Sequence, residues 1–202
     1  MLNSTIFIVD DDPAMRDSLS WLLKNIGYTV DVFSSAQEFL ERYEPQAAGC
    51  MVLDVRLPGM SGLQLQQKMK AEGISLPVII ISGHGDVPMA VKAMQQGALV
   101  FLEKPFRDQE LLDNIQEALE IDAKYREKDA ASKIVREYIE SLTQREKEVM
   151  QLMVKGDSSK EIAKLCEISV KTVEIHRSRV MEKMQAASLP ELVHMTINLQ
   201  TQ

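Results

Sequence analysis

Four places in this 202-residue chain put polar side chains directly behind apolar runs. Asp10, Asp11 and Asp12 follow TIFIV, Asp54 follows CMVL, Ser82 follows PVIII, and Glu103-Lys104-Pro105 follow LVFL. A carboxylate at the end of a buried strand is costly to desolvate unless something compensates it. Two carboxylates ~4 Å apart repel by about 4 kcal/mol at an effective dielectric of about 20, so three together require a cation. Oxygen ligation by carboxylates, a backbone carbonyl and water suits hard Mg2+, which commonly works beside a phosphate. Lys104 adds positive charge and Ser82 a hydroxyl donor. These are the parts of a phosphoryl site: a carboxylate nucleophile, a metal to shield the incoming anion, and donors for its oxygens. A lone strand-terminal Asp is more often a turn cap, and Asp12, immediately before Pro13, takes that plainer role. The functional reading rests on four strand ends at once.

Such a site needs a scaffold that brings those ends together. Residues 5–9, 29–33, 50–53, 77–81 and 99–102 are short runs rich in Val, Ile and Phe, as strands are. Between them, 13–26, 35–43, 62–72 and 87–96 carry apolar residues at i/i+3/i+4 spacing, and a fifth helix begins after Asp108. Strands alternating with helices predict right-handed crossovers and a parallel sheet covered on both faces. Ligands of such sheets bind beyond the carboxyl ends of the strands, where the winding direction reverses. If the first and third strands are neighbours, Asp10, Asp11 and Asp54 converge, with Ser82 and Lys104 facing them.

The second half reads differently. Residues 122–141 are charged and lack Pro and Gly, which predicts a helical or partly flexible linker able to extend the fifth helix. From Leu142 onward no strand pattern appears. Thr143/Glu146, Ser158/Glu161 and Ser188/Glu191 fit the S/T-x-x-E capping box, and Ser169 can cap a further helix. Four short helices form a compact all-α domain in which 159–166, EIS and 170–184 make a helix-turn-helix. On the last of these, Val173, Val180 and Met184 share an inward stripe, whereas Lys171, Glu174, Ile175 and Ser178 share the outward one. Ile175 is either a scattered surface apolar group or a contact for a thymine methyl. A charged helix is usually just a solvated face, and His176 can equally be a packing residue.

Composition bounds the alternatives. The chain is 45% hydrophobic and 26% charged, with a net charge of −7. That charge is uneven: 142–202 carries nine basic against eight acidic residues, and 1–141 fourteen against twenty-two, which suggests two domains with different partners. No apolar run approaches the ~20 residues of a membrane span, and MLNSTIFIVDDD lacks the basic start of a signal peptide. Cys50 and Cys166 have no ligand-spaced neighbours, so two buried thiols in a reducing cytoplasm are expected.

VDDD, LDVRLPGMSG, ISGHGDVPMAV, GA and FLEKPF resemble the receiver domain of bacterial two-component response regulators, in the FixJ-type branch, over 4–121. LTQREKEVMQL, KEIAKLCEISVKTVEIHRSRVMEKM and ELV resemble the LuxR/NarL-type output domain over 141–200, and some stretches are similar to tetrathionate-type regulators. The resemblance implies a receiver at 1–121, a helical linker at 122–141 and a LuxR-type helix-turn-helix domain at 142–202. It implies a flavodoxin-like sheet of order 2-1-3-4-5, with Asp54 taking a phosphoryl group from a sensor histidine kinase. Asp10, Asp11, Asp54 and the Arg56 carbonyl would surround Mg2+. Lys104 would meet the phosphate beside a cis bond to Pro105, and Ser82 and Phe101 would be the switch pair. Glu174, Ile175 and Ser178 would face bases, and Lys160, Thr172, His176, Arg177 and Arg179 would reach phosphates. A phosphorylation-favoured homodimer through the 87–107 face would bind paired half-sites on double-stranded DNA and meet RNA polymerase, in the cytoplasm and away from any membrane, to activate transcription. Two rivals stay open. An aspartate-nucleophile, Mg-dependent phosphatase needs a second Asp where Arg56 stands, and a phosphorylation-independent DNA-binding protein would use the receiver only as a scaffold.

Overall fold

The computed structural model describes residues 4–45, 47–83 and 87–200. Its elements run β1 (Thr5–Val9), α1 (Pro13–Ile26), β2 (Thr29–Phe33), α2 (Ala36–Arg42), β3 (Gly49–Asp54), α3 (Gly62–Ala71), β4 (Val78–Ser82), α4 (Val87–Gln95), β5 (Val100–Glu103) and α5 (Asp108–Ser141). Then come α6 (Gln144–Lys155), α7 (Ser159–Leu165), α8 (Val170–Lys183) and α9 (Leu189–Gln200). The chain divides into two compact units, Met1–Tyr125 and Arg126–Gln202.

In the first unit the strands pair in parallel in the order β2-β1-β3-β4-β5. Period-two alternation splits each strand between two cores. Phe7, Val9, Met51, Leu53, Val78 and Ile80 pack with Phe39 of α2, Leu65 and Met69 of α3 and Ala93 of α4. Ile6, Ile8, Cys50, Val52, Ile79, Ile81 and Leu102 pack with Leu19 and Leu23 of α1 and Leu111, Ile115 and Ala118 of α5. All six residues of β3 are buried, as a central strand covered on both faces must be. Register places Val9 beside Leu53, Leu53 beside Ile80 and Ile80 beside Phe101. The strands therefore end together, on the side where the polar residues follow.

The helix starts obey local chemistry. Asp12 accepts from the Ala14 amide and caps α1, with Pro13 in the first turn. Ser61/Gln64, Thr143/Glu146 and Ser158/Glu161 form full capping boxes, and Ser169 caps α8. Ser188 accepts from the Glu191 amide, but the Glu191 carboxylate reaches the Ala187 amide instead of that of Ser188.

The stretch 122–141 is the latter part of one uninterrupted 34-residue helix. Asp122 is buried and accepts from the Gly49 amide at the start of β3. Val135, Tyr138 and Ile139 pack on the core of the second unit, built from Val149, Met153, Ile162, Val173, Val180, Met184 and Leu192. Both cysteines are buried and unpaired. No helix among the described residues is long and apolar enough to cross a membrane.

Candidate phosphoacceptor site and DNA interface

β3 delivers Asp54 at its last position, and β1 delivers Asp10 one residue beyond its end. Both residues are nearly removed from solvent, Asp10 at 1% exposure and Asp54 at 5%. Lys104 arrives from the loop after β5, and its Nζ stands 2.7 Å from Asp10 Oδ2 and 2.7 Å from Asp54 Oδ1. The remaining oxygens are also held: Asp10 Oδ1 accepts from the Asp12 amide at 2.8 Å, and Asp54 Oδ2 from the Arg56 amide at 2.5 Å. The Lys104 backbone amide donates to the Ser82 carbonyl at 2.8 Å, so the ends of β4 and β5 stay joined. The Lys104–Pro105 peptide is cis.

The electrostatics follow from two acids sharing one base. Burial pushes the Asp54 carboxyl above the usual range; Lys104 opposes this and Asp10 adds to it. Burial also works against the Lys104 ammonium, but its bonds to Asp10 and Asp54 outweigh that and raise it. One ammonium for two buried carboxylates leaves net negative charge in a low-dielectric recess, which a hard divalent cation suits. Among the described residues no group of three His, Cys, Asp or Glu side chains stands together as a metal cluster, and Asp11 is exposed. The chain thus offers two buried carboxylates directly. Mg2+ accepts such a partial set because it keeps several waters.

Ser82 is buried at the end of β4, and Phe101 is partly buried against the α2–α4 side core. His84, Gly85 and Asp86, the middle of the ISGHGDVPMAV motif, lie outside the described residues. Two contributors carried no sequence signal of their own. Arg16 Nη1 donates to the Asp10 carbonyl at 2.6 Å. Gly62, at the start of α3, lies so close to Asp54 that a Cβ there would come within 2.2 Å of the Asp54 carbonyl oxygen. The second glycine of LPGMSG marks that close approach, legible only once α3 is known to begin beside β3.

On α8, Lys171, Glu174, Ile175, Ser178 and Arg179 are presented opposite the buried Val173 and Val180, with Ile175 47% exposed. Thr172, His176 and Arg177 lie on the flanks of that face, and Lys160 stands on α7. The Thr172 hydroxyl is engaged with Ser169 at 2.8 Å. His176 Nδ1 is buried with no hydrogen-bond partner among the described residues.

A 2-1-3-4-5 sheet with acids and a lysine at its carboxyl edge, followed by a helix-turn-helix unit, is the build of a DNA-binding two-component response regulator. Residues 6–116 match the response regulator receiver domain, and 140–196 match the luxR family of bacterial regulatory proteins. The chain belongs to this family, and it is FixJ-like. It is 44% identical over 196 residues to the response regulator protein TodT of Pseudomonas putida, covering 97% of this chain and 86% of TodT. It is 44% identical over 192 residues to the transcriptional regulatory protein FixJ of Bradyrhizobium diazoefficiens, covering 95% and 94%. Among solved structures, response regulator StyR matches with a TM-score of 0.85 and 41% identity, over 97% of this chain and 99% of StyR. Full-length FixJ from B. japonicum matches with a TM-score of 0.60 and 42% identity over the whole of both chains.

Proposed function

We propose that the receiver accepts a phosphoryl group on Asp54 from a sensor histidine kinase and that the phosphorylated chain, as a homodimer, binds paired DNA half-sites and activates transcription. The observation that carries this reading is Lys104 Nζ, 2.7 Å from both Asp10 and Asp54. An Asp54 oxygen forms the new bond to phosphorus while the bond from phosphorus to the kinase's imidazole nitrogen breaks; the ring, protonated on its other nitrogen, leaves as neutral imidazole and Asp54 carries an acyl phosphate. Lys104 is within reach of the new oxygens, and Ser82 supplies a hydroxyl from the neighbouring strand end. Held by Asp10 and Asp54, with Asp11, the Arg56 carbonyl and water completing the set, Mg2+ would neutralise charge on the phosphoryl oxygens.

Drawing Lys104 and Ser82 onto the phosphate reorganises the ends of β4 and β5, and Phe101 repacks behind them. The affected face, 87–107, includes α4, whose Val87, Val91 and Met94 are 77%, 48% and 47% exposed at i, i+4 and i+7. Moving such a switch from 1:99 to 99:1 takes about 5.5 kcal/mol of differential stabilisation. Two such faces then associate and set two α8 helices about 34 Å apart, one DNA turn. Glu174, Ile175 and Ser178 read bases, while Lys160, Lys171, Thr172, His176, Arg177 and Arg179 fix register on phosphates. RNA polymerase is the further partner of an activator, and the cytoplasm its place of work.

A phosphodonor such as phosphoramidate with Mg2+ tests this. Wild type should gain one phosphoryl group, stop, and sediment as a dimer, whereas Asp54→Asn should do neither. Unchanged sedimentation of both would count against the reading, and steady turnover of a phosphomonoester would favour a phosphatase. Equal DNA affinity with and without phosphodonor would favour a constitutive DNA-binding protein.

A further inference from the structure

The helix ends on either side of the recognition helix break a rule that four other helices keep. α1, α3, α4 and α6 close with the same pair of backbone bonds, in which the amide of a residue in left-handed conformation returns three residues and the next amide returns five. In each, the residue with left-handed backbone is a glycine, the residue without a Cβ penalty there. α7 and α8 close with the same bonds, but on Glu167 at φ 55° and Gln185 at φ 53°. These two disfavoured positions bracket α8. Gln185 is exposed, so core packing does not demand its side chain.

What that side chain does is accept a hydrogen bond. Tyr138 Oη donates to Gln185 Oε1 at 2.9 Å. Tyr138 belongs to the last turns of α5, with its ring against the helical core. A second bond runs the other way: Lys183, at the end of α8, donates to the Ser141 carbonyl at 3.3 Å and to Glu146 Oε2 at 2.6 Å. The last turns of α5 and α8 are therefore tied in both directions. Val173, Val180 and Met184 hold α8 by apolar burial, which is non-directional. Directional bonds at its end fix how the outward face is presented.

We propose that Tyr138 and Gln185 form a latch that orients the recognition helix, which makes Tyr138 a positioning residue for DNA reading supplied by α5 from outside the helix-turn-helix. This rests on the reading of α8 as the helix that meets DNA. It accounts for a glutamine where four other helix ends use glycine, because the substitution Gln185→Gly would relieve the backbone and lose the acceptor.

The test uses full-length chain and two duplexes: one selected from random sequence by the wild type, and one scrambled from it, at one salt concentration. Tyr138→Phe and Gln185→Gly should each weaken the selected duplex by about fivefold, on the order of one neutral hydrogen bond. Both should leave the scrambled duplex unaffected, because phosphate attraction is unchanged. The double variant should be no worse than either single one. Gln185→Gly should melt no lower than wild type, since glycine accepts a left-handed backbone. A latch variant that binds the selected duplex as wild type does overturns the proposal. So does Gln185→Gly if binding and melting temperature fall together, the mark of a purely structural cap. Glu174→Ala separates the two readings. If it loses discrimination while the latch variants keep it, only the latch falls; if it too has no effect, the assignment of α8 falls with it.

Discussion

Asp54 is buried beside Asp10 with one lysine between them, so its charge is a burden on the fold. Its carboxyl is raised, first by burial. An acid raised in the folded state contributes stability below its unfolded pKa and loses it as pH rises. At neutral pH the ionised group therefore destabilises. Asp54→Asn, in the presence of a chelator, should melt higher than wild type at pH 7, with about 2–4 °C for each ~1 kcal/mol gained at this chain length. The advantage should shrink as pH falls through the carboxylate range; a lower melting temperature at pH 7 would contradict it. Gly62 is tested separately. Its added Cβ would meet the Asp54 carbonyl oxygen, so Gly62→Ala should cost about 1–3 kcal/mol in urea unfolding, as overpacking does. It should also slow phosphoramidate labelling of Asp54 severalfold, because the strand end must shift.

Helices of the second unit are joined by one buried acid. Glu146 is 2% exposed, bonds Lys183 of α8 at 2.6 Å and closes the α6 capping box. Lys183 first, and the Thr143 amide, outweigh the opposing effect of burial and hold its carboxyl down at about 2. A lowered acid contributes stability above its unfolded pKa and loses it as pH falls toward the folded one. Glu146→Gln should cost the helical unit about 1–3 kcal/mol at pH 7, with the difference closing between about pH 5 and 2 in thermal melts. The cap half of this was legible: Thr143 and Glu146 are three residues apart, and local spacing suffices. The Lys183 half was not, because the partners are 37 residues apart and only tertiary packing joins them. The same division holds elsewhere. β1 and β2 were readable residue for residue from Val, Ile and Phe runs, and Asp12 from its place before Pro13. Asp122 on the Gly49 amide, 73 residues away, and Tyr138 on Gln185, 47 away, have no local pattern. The continuity of α5 stayed open in the sequence because 126–131 lacks breakers but also lacks an apolar stripe.

The proposed association of two chains would set apolar attraction against charge. Residues 1–125 carry ten basic and eighteen acidic residues, and a phosphoryl group adds to the excess. Two such bodies repel, with screening over about 8 Å at 0.15 M salt. What can hold them is the exposed stripe of Val87, Val91 and Met94 on α4. A carboxylate in that stripe should remove the attraction and deepen the repulsion. Val91→Glu should leave Asp54 labelling by phosphoramidate unchanged, since Val91 takes no part in the Asp10–Lys104–Asp54 network, yet keep the labelled chain monomeric in sedimentation equilibrium. Salt provides the complementary measurement on wild type. Raising NaCl from about 0.05 to 0.3 M should tighten the proposed phosphorylated dimer by screening like charge and weaken its hold on DNA by counterion release. A dimer that loosens with salt would instead mean that ion pairs across the face outweigh the net repulsion, and Val91 would then matter less than the charged residues around it.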